Sequence, residues 1–409
     1  MKLLKVDTLE MGIEKLHKAY VASGATPKTE LVPLVQSFGK VLAEDVYSSE
    51  VIPGFNRSVV DGYAVKSIET AGSSDSMPVF LEVVGEVEMG KAAPCQLESG
   101  QCMYVPTGGM IPVGADAVAM VEHCQPFGLN QMAVYSPLSY GKNMVFAGDD
   151  VAEGQAVLAK GKKISPADMG LLASLGKTEV LVYKPWKVYI ISTGDEIVEP
   201  NKVPAEGQVR DVNTYGLIGE VQKLGFEVCG FELIKDDYEL LKTRAEAAKE
   251  TCDIVLISGG SSKGKKDATA QVIEDITGEV LTHGLSVKPG KPTIIAHDKD
   301  SQTIYIGLPG HPVAALLLFR LVVGGLWKAL TGMDKVSSRN SLKARIAFNL
   351  AAAPGRKTFQ LVKLDGEGAT PILGKSGLIR TMSEADGYII LDVNNEGINK
   401  GEEVEVYLL

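Results

Sequence analysis

A glycine-rich segment of the chain has the composition of a phosphate-binding loop. The segment Ile257-Ser-Gly-Gly-Ser-Ser-Lys-Gly-Lys-Lys-Asp267 leads from an apolar run into a helical pattern. Glycine lets the backbone approach a ligand closely, and backbone amides before a helix form a nest for an anion. We therefore predict that the ligand is held by Gly259, Gly260, Ser261 and Ser262.

A second loop would present two positive charges to the same ligand. In Val287-Lys-Pro-Gly-Lys-Pro292, two prolines and a glycine fix a bend that holds Lys288 and Lys291 on a short lever. Two fixed ammonium groups suit phosphate oxygens. We predict that both lysines act on a phosphate-bearing ligand.

A third loop, Leu308-Pro-Gly-His-Pro312, precedes a long apolar helix. A helix that begins at Pro312 would offer its positive end to an anion, with Pro309 and Gly310 beside it. Each of the three loops alone is more often a tight turn with solvated lysines. Three of them at one sheet edge favour a binding site instead.

Carboxylates follow the same strands, and they comprise Asp195, Glu196, Asp236, Asp237 and Asp267. Acidic groups beside a phosphate site usually hold Mg²⁺, which keeps several waters and bridges carboxylates to phosphate oxygens. We predict Glu196 and Asp267 as metal ligands, and Asp236 as a contact to the ligand. Asp195 and Asp237 are interpreted as turn or helix-cap residues.

Two shorter motifs overlap the glycine loop. Gly259-x-x-x-x-Gly264-Lys265 matches the start of a nucleotide-binding P-loop, but Lys266 stands where Ser or Thr must reach Mg²⁺. Gly260-Ser-Ser-Lys-Gly264 matches a nucleophile elbow with Ser262 as nucleophile, and His283, His297 or His311 could serve as its base. A patch so rich in lysine suits phosphate better than acyl transfer.

The elements that carry these loops alternate in type. Strands are predicted at 188–192, 228–234 and 254–258, and helices at 214–224, 238–249 and 268–276. This alternation predicts a doubly wound α/β domain with a mainly parallel sheet, where ligands bind at the carboxyl ends of strands. Residues 46–147 read as a small inserted β domain, and the strands predicted after Gly332 form a separate C-terminal β domain.

The N-terminal region is predicted to be helical at 9–22, behind an Asp7-x-x-Glu10 start. Another helix is predicted from Pro166 to Leu175, and the apolar run 312–330, which contains Arg320, is read as a buried helix.

Composition limits the possible partners and the location. A net charge of −10 argues against binding to nucleic acid or anionic membranes. The N-terminus has no signal-peptide pattern, so we expect a cytoplasmic protein that does not cross a membrane. The five cysteines include no C-x-x-C pair, so we expect reduced thiols and no zinc site.

An ordered set of motifs resembles the molybdopterin molybdenumtransferase family, which includes bacterial MoeA proteins and the gephyrin E domain. Besides the three loops, the set comprises Phe55-x-x-Ser58-x-x-Asp61-Gly-Tyr-Ala64, Pro106-Thr-Gly108 with Glu122, Gly148-Asp-Asp150, Ser192-Thr-Gly-Asp-Glu196 and Gly207-Gln-Val-Arg-Asp-Val-Asn213. The resemblance covers nearly the whole chain.

The resemblance implies four domains: an elongated domain at 1–48 and 145–182, the inserted β domain at 49–144, the α/β molybdopterin-binding domain at 183–332, and a C-terminal β-barrel at 333–409. It also implies a homodimer whose cleft lies between the α/β domain of one subunit and the β insertion of the other. The molybdopterin adenylyltransferase would be a further partner.

The implied reaction takes adenylylated molybdopterin and molybdate or tungstate, releases AMP and leaves the metal on the dithiolene, with Mg²⁺ assisting. Resemblance to functional family positions places Asp61, Thr107, Glu122 and Asp150 at the cleft. Two departures stand out: Val145 replaces a frequent arginine, and the glycine loop carries Lys263, Lys265 and Lys266. These could mark a paralogue that uses tungstate or has altered activity. The alternatives are a molybdopterin adenylyltransferase and a non-catalytic scaffold.

Overall fold

The computed structural model describes residues 6–259, 268–336, 340–366 and 368–409. The chain divides into two compact units. Unit 1 comprises Met1–Glu44, Lys160–Ser165 and Val180–Leu409, and unit 2 comprises Asp45–Ala159 and Pro166–Glu179. The predicted division into four domains is finer than these units and stays a prediction.

The first helix lies where the sequence predicts it. The opening elements are α1 (Leu9–Ala22), β1 (Thr29–Pro33), β2 (Val46–Tyr47) and β3 (Arg57–Ser58). Thr8, rather than Asp7, caps α1, because its side chain accepts a hydrogen bond from the amide of Met11. Asp7 is buried, and its carboxylate accepts hydrogen bonds from Lys15 Nζ at 2.6 Å and Thr282 Oγ1 at 2.8 Å.

Unit 2 contains the inserted β region. Its sheet is formed by β4 (Gly62–Val65), β5 (Val79–Glu86), β6 (Gln101–Val105), β7 (Ala117–Met120), β8 (Cys124–Phe127) and β9 (Gln131–Val134). The six strands lie in the order β7-β4-β6-β5-β9-β8, and only the β5–β6 pair is parallel. The short elements that follow are β10 (Met144–Val145), β11 (Ala156–Leu158), α2 (Pro166–Ser174) and β12 (Glu179–Tyr183).

The α/β part of unit 1 is a six-stranded sheet with helices on both faces, as predicted. Its elements are β13 (Lys187–Thr193), β14 (Ile197–Val198), β15 (Val209–Arg210), α3 (Asn213–Lys223), β16 (Glu227–Ile234), α4 (Tyr238–Ala248), β17 (Ile254–Gly259), α5 (Ala268–Thr277), β18 (Val280–His283), β19 (Val287–Lys288), β20 (Ile294–His297), β21 (Ile304–Leu308) and α6 (Pro312–Thr331). The sheet order is β16-β13-β17-β21-β20-β18. The first four strands are parallel, β20 pairs antiparallel with β21, and β18 pairs antiparallel with β20.

Period-two alternation explains how the sheet is covered. On β17, Ile254 and Leu256 belong to the core cluster shared with α1, α3 and α6, whereas Val255 and Ile257 belong to the cluster shared with α4 and α5. A strand whose residues are apolar on both faces must be buried on both faces. The unbroken apolar run therefore fixes this strand at the centre of a three-layer domain.

The apolar helix α6 is buried rather than exposed. It is long and apolar enough to span a membrane, but 67% of its most apolar window is covered by the rest of the protein. The arginine inside it is compensated: Arg320 donates from Nε and Nη2 to the two carboxylate oxygens of Glu220 on α3, at 2.9 and 2.7 Å. A paired charge of this kind is the usual way a buried arginine is tolerated.

The C-terminal part of unit 1 is a closed β-barrel. The elements are α7 (Met333–Val336), β22 (Ser341–Ile346), β23 (Leu350–Ala351), β24 (Lys357–Asp365), β25 (Gly368–Pro371), α8 (Ile379–Ser383), β26 (Gly387–Leu391), β27 (Gly397–Ile398) and β28 (Glu403–Leu408). The strands run β24-β25-β22-β28-β26, and β26 pairs again with β24 to close the ring. β19 also joins β24, so it attaches the lysine loop to the barrel.

The cysteine prediction is wrong for one pair. Cys229 and Cys252 form a disulfide, whereas Cys95, Cys102 and Cys124 are free. Cys229 lies on β16, and Cys252 lies just before β17; these two strands flank the first residues of β13. A separation of 23 residues carries no motif, so only the folded sheet brings the two sulfurs together.

Candidate functional site

The carboxyl ends of three parallel strands bring the predicted loops to one edge of the sheet. Thr193 at the end of β13 is paired with Gly259 at the end of β17, and Ser258 is paired with Leu308 at the end of β21. Because these strands are parallel neighbours, the segments after them leave the sheet side by side. The phosphate-site prediction requires these loops to start at the same edge of the sheet. The structure describes the glycine loop as far as Gly259, and to that point the requirement is met.

Gly259 stands where no larger residue fits. Its φ is +118°, and a Cβ atom built on it would lie 2.0 Å from the carbonyl oxygen of Thr193. A Cβ on Gly310 would lie 3.8 Å from the Cα of Gly259. The end of β17 and the Leu308–Pro312 loop therefore lie backbone to backbone at these two glycines.

A buried polar network beneath the loops holds them in place. Asn213 at the start of α3 donates from Nδ2 to Ser258 Oγ at 2.7 Å and to the carbonyl of Gly310 at 3.0 Å. Asp211 accepts from the amide of Thr214 at 3.1 Å and from Ser192 Oγ at 3.3 Å. Asn213 thus links the end of β17 to the loop before α6, and Asp211 links the end of β13 to the start of α3.

The same network contains an unsatisfied acceptor. Asn213 is only 8% exposed, and its Oδ1 has no hydrogen-bond partner among the residues that the structure describes. Most buried polar atoms have a partner, so this oxygen is a candidate to meet a ligand or water. No role was predicted for Asn213; its signal in the sequence was its place at the end of the motif Gly207–Asn213, directly before a helix.

The carboxylates after β13 and β16 have different roles. Thr193 Oγ1 donates to Asp236 Oδ1 at 2.8 Å, and the amide of Asp236 approaches Asp195 Oδ1 at 3.4 Å. Asp237 caps α4 by accepting from the amide of Leu240 at 2.9 Å, as the helix-cap interpretation expects. Glu196 is exposed at the same edge, with no ion pair within the described ranges.

The lysine loop is rigid in its backbone and open at its charged ends. Gly290 has a φ of +111°, and a Cβ there would lie 2.1 Å from Leu318 Cδ1 of α6. Lys288 and Lys291 are exposed, and neither forms an ion pair with a residue that the structure describes. Thr293 Oγ1 donates to the carbonyl of Gly290 at 2.8 Å, which fixes the bend between the two lysines.

The N-terminus of α6 is partly occupied by the C-terminal barrel. His311 is its N-cap residue, and His311 Nδ1 lies 2.8 Å from Ser376 Oγ. The carbonyl of Ser376 accepts the amide of Val313 at 3.1 Å, and Pro312 has no amide to offer. The first turn of α6 therefore has fewer free amides for binding an anion than the sequence analysis assumed. Ser376 lies at the candidate site, and nothing in the sequence indicated this.

Unit 2 holds a separate cluster of predicted residues. Asp61 Oδ1 accepts from the amide of Thr107 at 2.7 Å and from its hydroxyl at 2.9 Å. These two hydrogen bonds hold the pKa of the Asp61 carboxyl below its ordinary value. The carbonyl of Asp61 accepts a hydrogen bond from the amide of Val121, and Glu122 is the next residue along the chain.

Asp150 forms its hydrogen bonds with other residues. Its amide donates to the carbonyl of Ile52 at 3.0 Å, and no described hydrogen bond joins it to Asp61, Thr107 or Glu122.

Four predicted site residues lie outside the described residues: Gly260, Ser261, Ser262 and Asp267. Lys263, Lys265 and Lys266 of the same loop also lie outside the described residues. They include the lysine of the P-loop match, and Ser262 is the serine of the nucleophile-elbow match. Within the described part of the chain, no three His, Cys, Asp or Glu side chains cluster as a metal site would require.

Family models match the chain in three consecutive segments. Residues 8–176 match the MoeA N-terminal region (domain I and II), residues 189–328 match a probable molybdopterin binding domain, and residues 343–409 match the MoeA C-terminal region (domain IV).

Full-length relatives and solved structures agree with these matches. The chain is 32% identical to a putative molybdopterin biosynthesis protein from Methanocaldococcus jannaschii, covering 93% of this chain and 92% of the relative. It is also 32% identical to the molybdopterin molybdenumtransferase of Haemophilus influenzae, covering 93% of both chains. A crystal structure of a molybdopterin biosynthesis MoeA protein from Pyrococcus horikoshii superposes with a TM-score of 0.79 at 29% identity, covering 99% of this chain and 100% of the other.

Proposed function

The chain belongs to the molybdopterin molybdenumtransferase (MoeA) family, transferases of molybdenum cofactor biosynthesis, and we propose that it inserts molybdate into adenylylated molybdopterin with release of AMP. One observation carries the proposal. The loops that carry Gly259 and Gly310 meet closely at one edge of the sheet, and two lysines, which form no ion pair with a described residue, extend from a rigid loop of the same unit.

The lysines would act on the diphosphate that links molybdopterin to AMP. Lys288 and Lys291 would hold its oxygens and stabilise the negative charge that develops as the bond to AMP breaks. The amides of Gly259, Gly260, Ser261 and Ser262 would bind the same group as a nest. Pro309, Gly310 and Pro312 would form the opposite wall, which Asn213 supports from below.

Mg²⁺ is part of this proposal. The acidic residues at the edge offer only oxygen donors, which suits Mg²⁺, an ion that uses one or two carboxylates together with substrate phosphates and water. Glu196 and Asp267 would be these ligands. Asp236, held by Thr193, would orient the adenylyl end of the substrate. When bound, the metal would neutralise phosphate charge as a Lewis acid.

A homodimer would complete the site. Asp61, Thr107, Glu122 and Asp150 carry no phosphate-binding character of their own, and their resemblance to functional family positions supports a role at a cleft. We propose that they come from the unit 2 of a partner subunit. We further propose a cytoplasmic location, where a molybdopterin adenylyltransferase would supply the substrate.

AMP release tests the proposal directly. The purified chain is incubated with adenylylated molybdopterin, Mg²⁺ and either molybdate or tungstate, and AMP is quantified by chromatography. Release that depends on the oxyanion is expected, and the preferred oxyanion identifies the metal. Absence of release with both oxyanions would refute the metal-insertion function. Consumption of ATP with free molybdopterin would instead identify an adenylyltransferase.

A scaffold is distinguished by a matched pair of variants. Lys288→Gln should abolish most AMP release, whereas Lys363→Gln, an equal charge change on an exposed strand position of the barrel, should not. No AMP release from the wild type or from either variant would argue for a binding protein without turnover.

A further inference from the structure

A cavity lies at the opposite edge of the α/β sheet from the candidate site. It has a volume of about 260 Å³ and is bounded by residues that precede β13, β17 and β21, together with the end of α4. Its lining includes Trp186, Asp253 and Gln302. β13 has seven residues, and strands rise about 3.3 Å per residue, so this cavity is roughly 20 Å from the carboxyl edge.

Lysines dominate the charge of this cavity. Its lining contains Lys28, Lys184, Lys187 and Lys249 against the carboxylates of Glu250 and Asp253. Lys249 is paired with Asp298 at 3.3 Å, and Lys28 lies 3.8 Å from Asp253.

Lys184 and Lys187 form no ion pair with any residue that the structure describes. The backbone on which they stand is fixed nevertheless. The amide of Lys184 donates to the carbonyl of Lys28 at 2.8 Å, and the amide of Lys187 donates to Asp253 Oδ2 at 2.8 Å. Two ammonium groups thus remain available on an ordered frame.

An uncharged hydroxyl lies on the wall of the same cavity. Tyr20 lines the cavity, and burial raises its pKa to about 12, so the phenol keeps its proton at neutral pH. Tyr20 is held from behind by His297, whose ring packs edge-on against it with centroids 5.6 Å apart and is only 3% exposed. His297 itself is not part of the cavity lining, and the backbone of Gln302 lies within hydrogen-bonding reach of its ring.

We propose that this cavity binds a small tetrahedral oxyanion, such as phosphate or molybdate, at a second site separate from the reaction. The volume lies below the range of about 300–1,000 Å³ that is typical of pockets for drug-sized molecules. The two lysines, which form no ion pair with a described residue, supply the opposite charge, and the Tyr20 hydroxyl on the cavity wall supplies a hydrogen-bond donor. The resemblance to the enzyme family plays no part in this assignment.

The two tryptophans of the chain make the site observable. Trp186 lines the cavity, and Trp327 packs on Trp186 with ring centroids 4.6 Å apart. Tryptophan fluorescence therefore reports on ligand binding at this edge of the sheet. The full chain is titrated with potassium phosphate against potassium chloride at matched ionic strength, because salt alone screens surface charge.

A saturable fluorescence change with phosphate is expected, and chloride should not produce it. In the variant Lys184→Gln/Lys187→Gln the apparent Kd should weaken at least tenfold, whereas the control Lys363→Gln/Lys400→Gln should bind as the wild type does. Both variants remove the same charge from exposed positions, so a difference between them cannot come from net charge. Equal weakening in both, or no saturation with phosphate, would overturn the proposal.

Further arms identify the ion. Molybdate and AMP are titrated separately in the same way. Saturation by molybdate or phosphate at lower concentration than by AMP supports a small-oxyanion site. Tighter binding of AMP would overturn the assignment in favour of a nucleotide site. Thermal unfolding followed by circular dichroism checks that the lysine variants fold.

Discussion

In unit 1 the candidate site rests on a buried polar network, whereas in unit 2 Asp61 and Thr107 bind each other at an exposed position. Loops in unit 1 are fixed by glycines that cannot carry a side chain and by Asn213 beneath them. The pair in unit 2 depends on two hydrogen bonds to one carboxylate oxygen. Changes in unit 1 should therefore disturb stability and chemistry together, except at its exposed lysines, and changes at the exposed pair in unit 2 should have only a small effect on stability.

Lys288→Gln should give the largest effect. Removing one charge that stabilises a developing anion costs roughly 10²–10³ in rate, so kcat/KM for AMP release should fall by that factor. The side chain is exposed and forms no described ion pair, so the midpoint of thermal unfolding should stay within error of the wild type. A normal rate of AMP release would remove this lysine from the chemistry.

Gly259→Ala should be the most destabilising single change. The added Cβ would meet the Thr193 carbonyl, and φ is +118°, so strain and displacement should cost about 3 kcal/mol of unfolding free energy. Gly278→Ala is the control, since its φ is +74° but nothing lies within 4 Å; it should cost about 1 kcal/mol. Urea unfolding measures both, and equal losses would show that the close approach at Gly259 is not a constraint.

Asn213→Ala should cost about 1–3 kcal/mol, because Ser258 Oγ and the Gly310 carbonyl lose a buried donor. It should also raise KM for the adenylylated substrate as the Gly310 loop loosens. Asn399→Ala removes an exposed hydrogen bond to Glu402 and should change stability by less than about 0.5 kcal/mol. If both variants unfold at the same urea concentration, the network does not support the loops.

Thr107→Val should give the smallest effect of these variants, a change in the pKa of the Asp61 carboxyl. It removes the hydroxyl donor and leaves the backbone donor, so the pKa of Asp61 should rise part of the way to its ordinary value. The pKa of Asp61 is lower in the folded than in the unfolded protein. The stability linked to this carboxyl is therefore present above the unfolded pKa and is lost as pH falls through the folded pKa. In the variant the two pKa values lie closer together, so acidification should remove less stability than in the wild type. Carbon NMR of the Asp61 carboxyl measures the shift, with Thr243→Val as a control that leaves it unchanged.

The sequence was most informative where periodicity and glycine reflect local requirements. The strand runs of β13, β16 and β17 and the helix α1 were predicted nearly to their ends, because apolar alternation follows directly from burial. Gly259 was predicted as a position where a ligand can approach the backbone, and Gly290 as part of a fixed bend, because glycine adopts backbone conformations that other residues rarely do.

Long-range pairings left no comparable signal. Ser376 reaches the N-terminus of α6 from 63 positions further along the chain than Val313, and Cys229 meets Cys252 only across the folded sheet. Asn213 was visible as part of a motif, but its bonds to two separate loops depend on strand order. Such contacts are properties of topology, which a single sequence does not display.

Strand β19 has a consequence for how this protein can be divided. It starts the lysine loop, yet its ladder partner is β24 of the barrel, with Val287 paired to Lys357 and Lys288 to Thr358. A chain shortened after Gly332 would keep all six strands of the α/β sheet and lose the neighbour that orders Lys288. The lysine loop therefore depends on a strand of the barrel for its order, so the α/β part and the barrel must be kept together for Lys288 to hold its position.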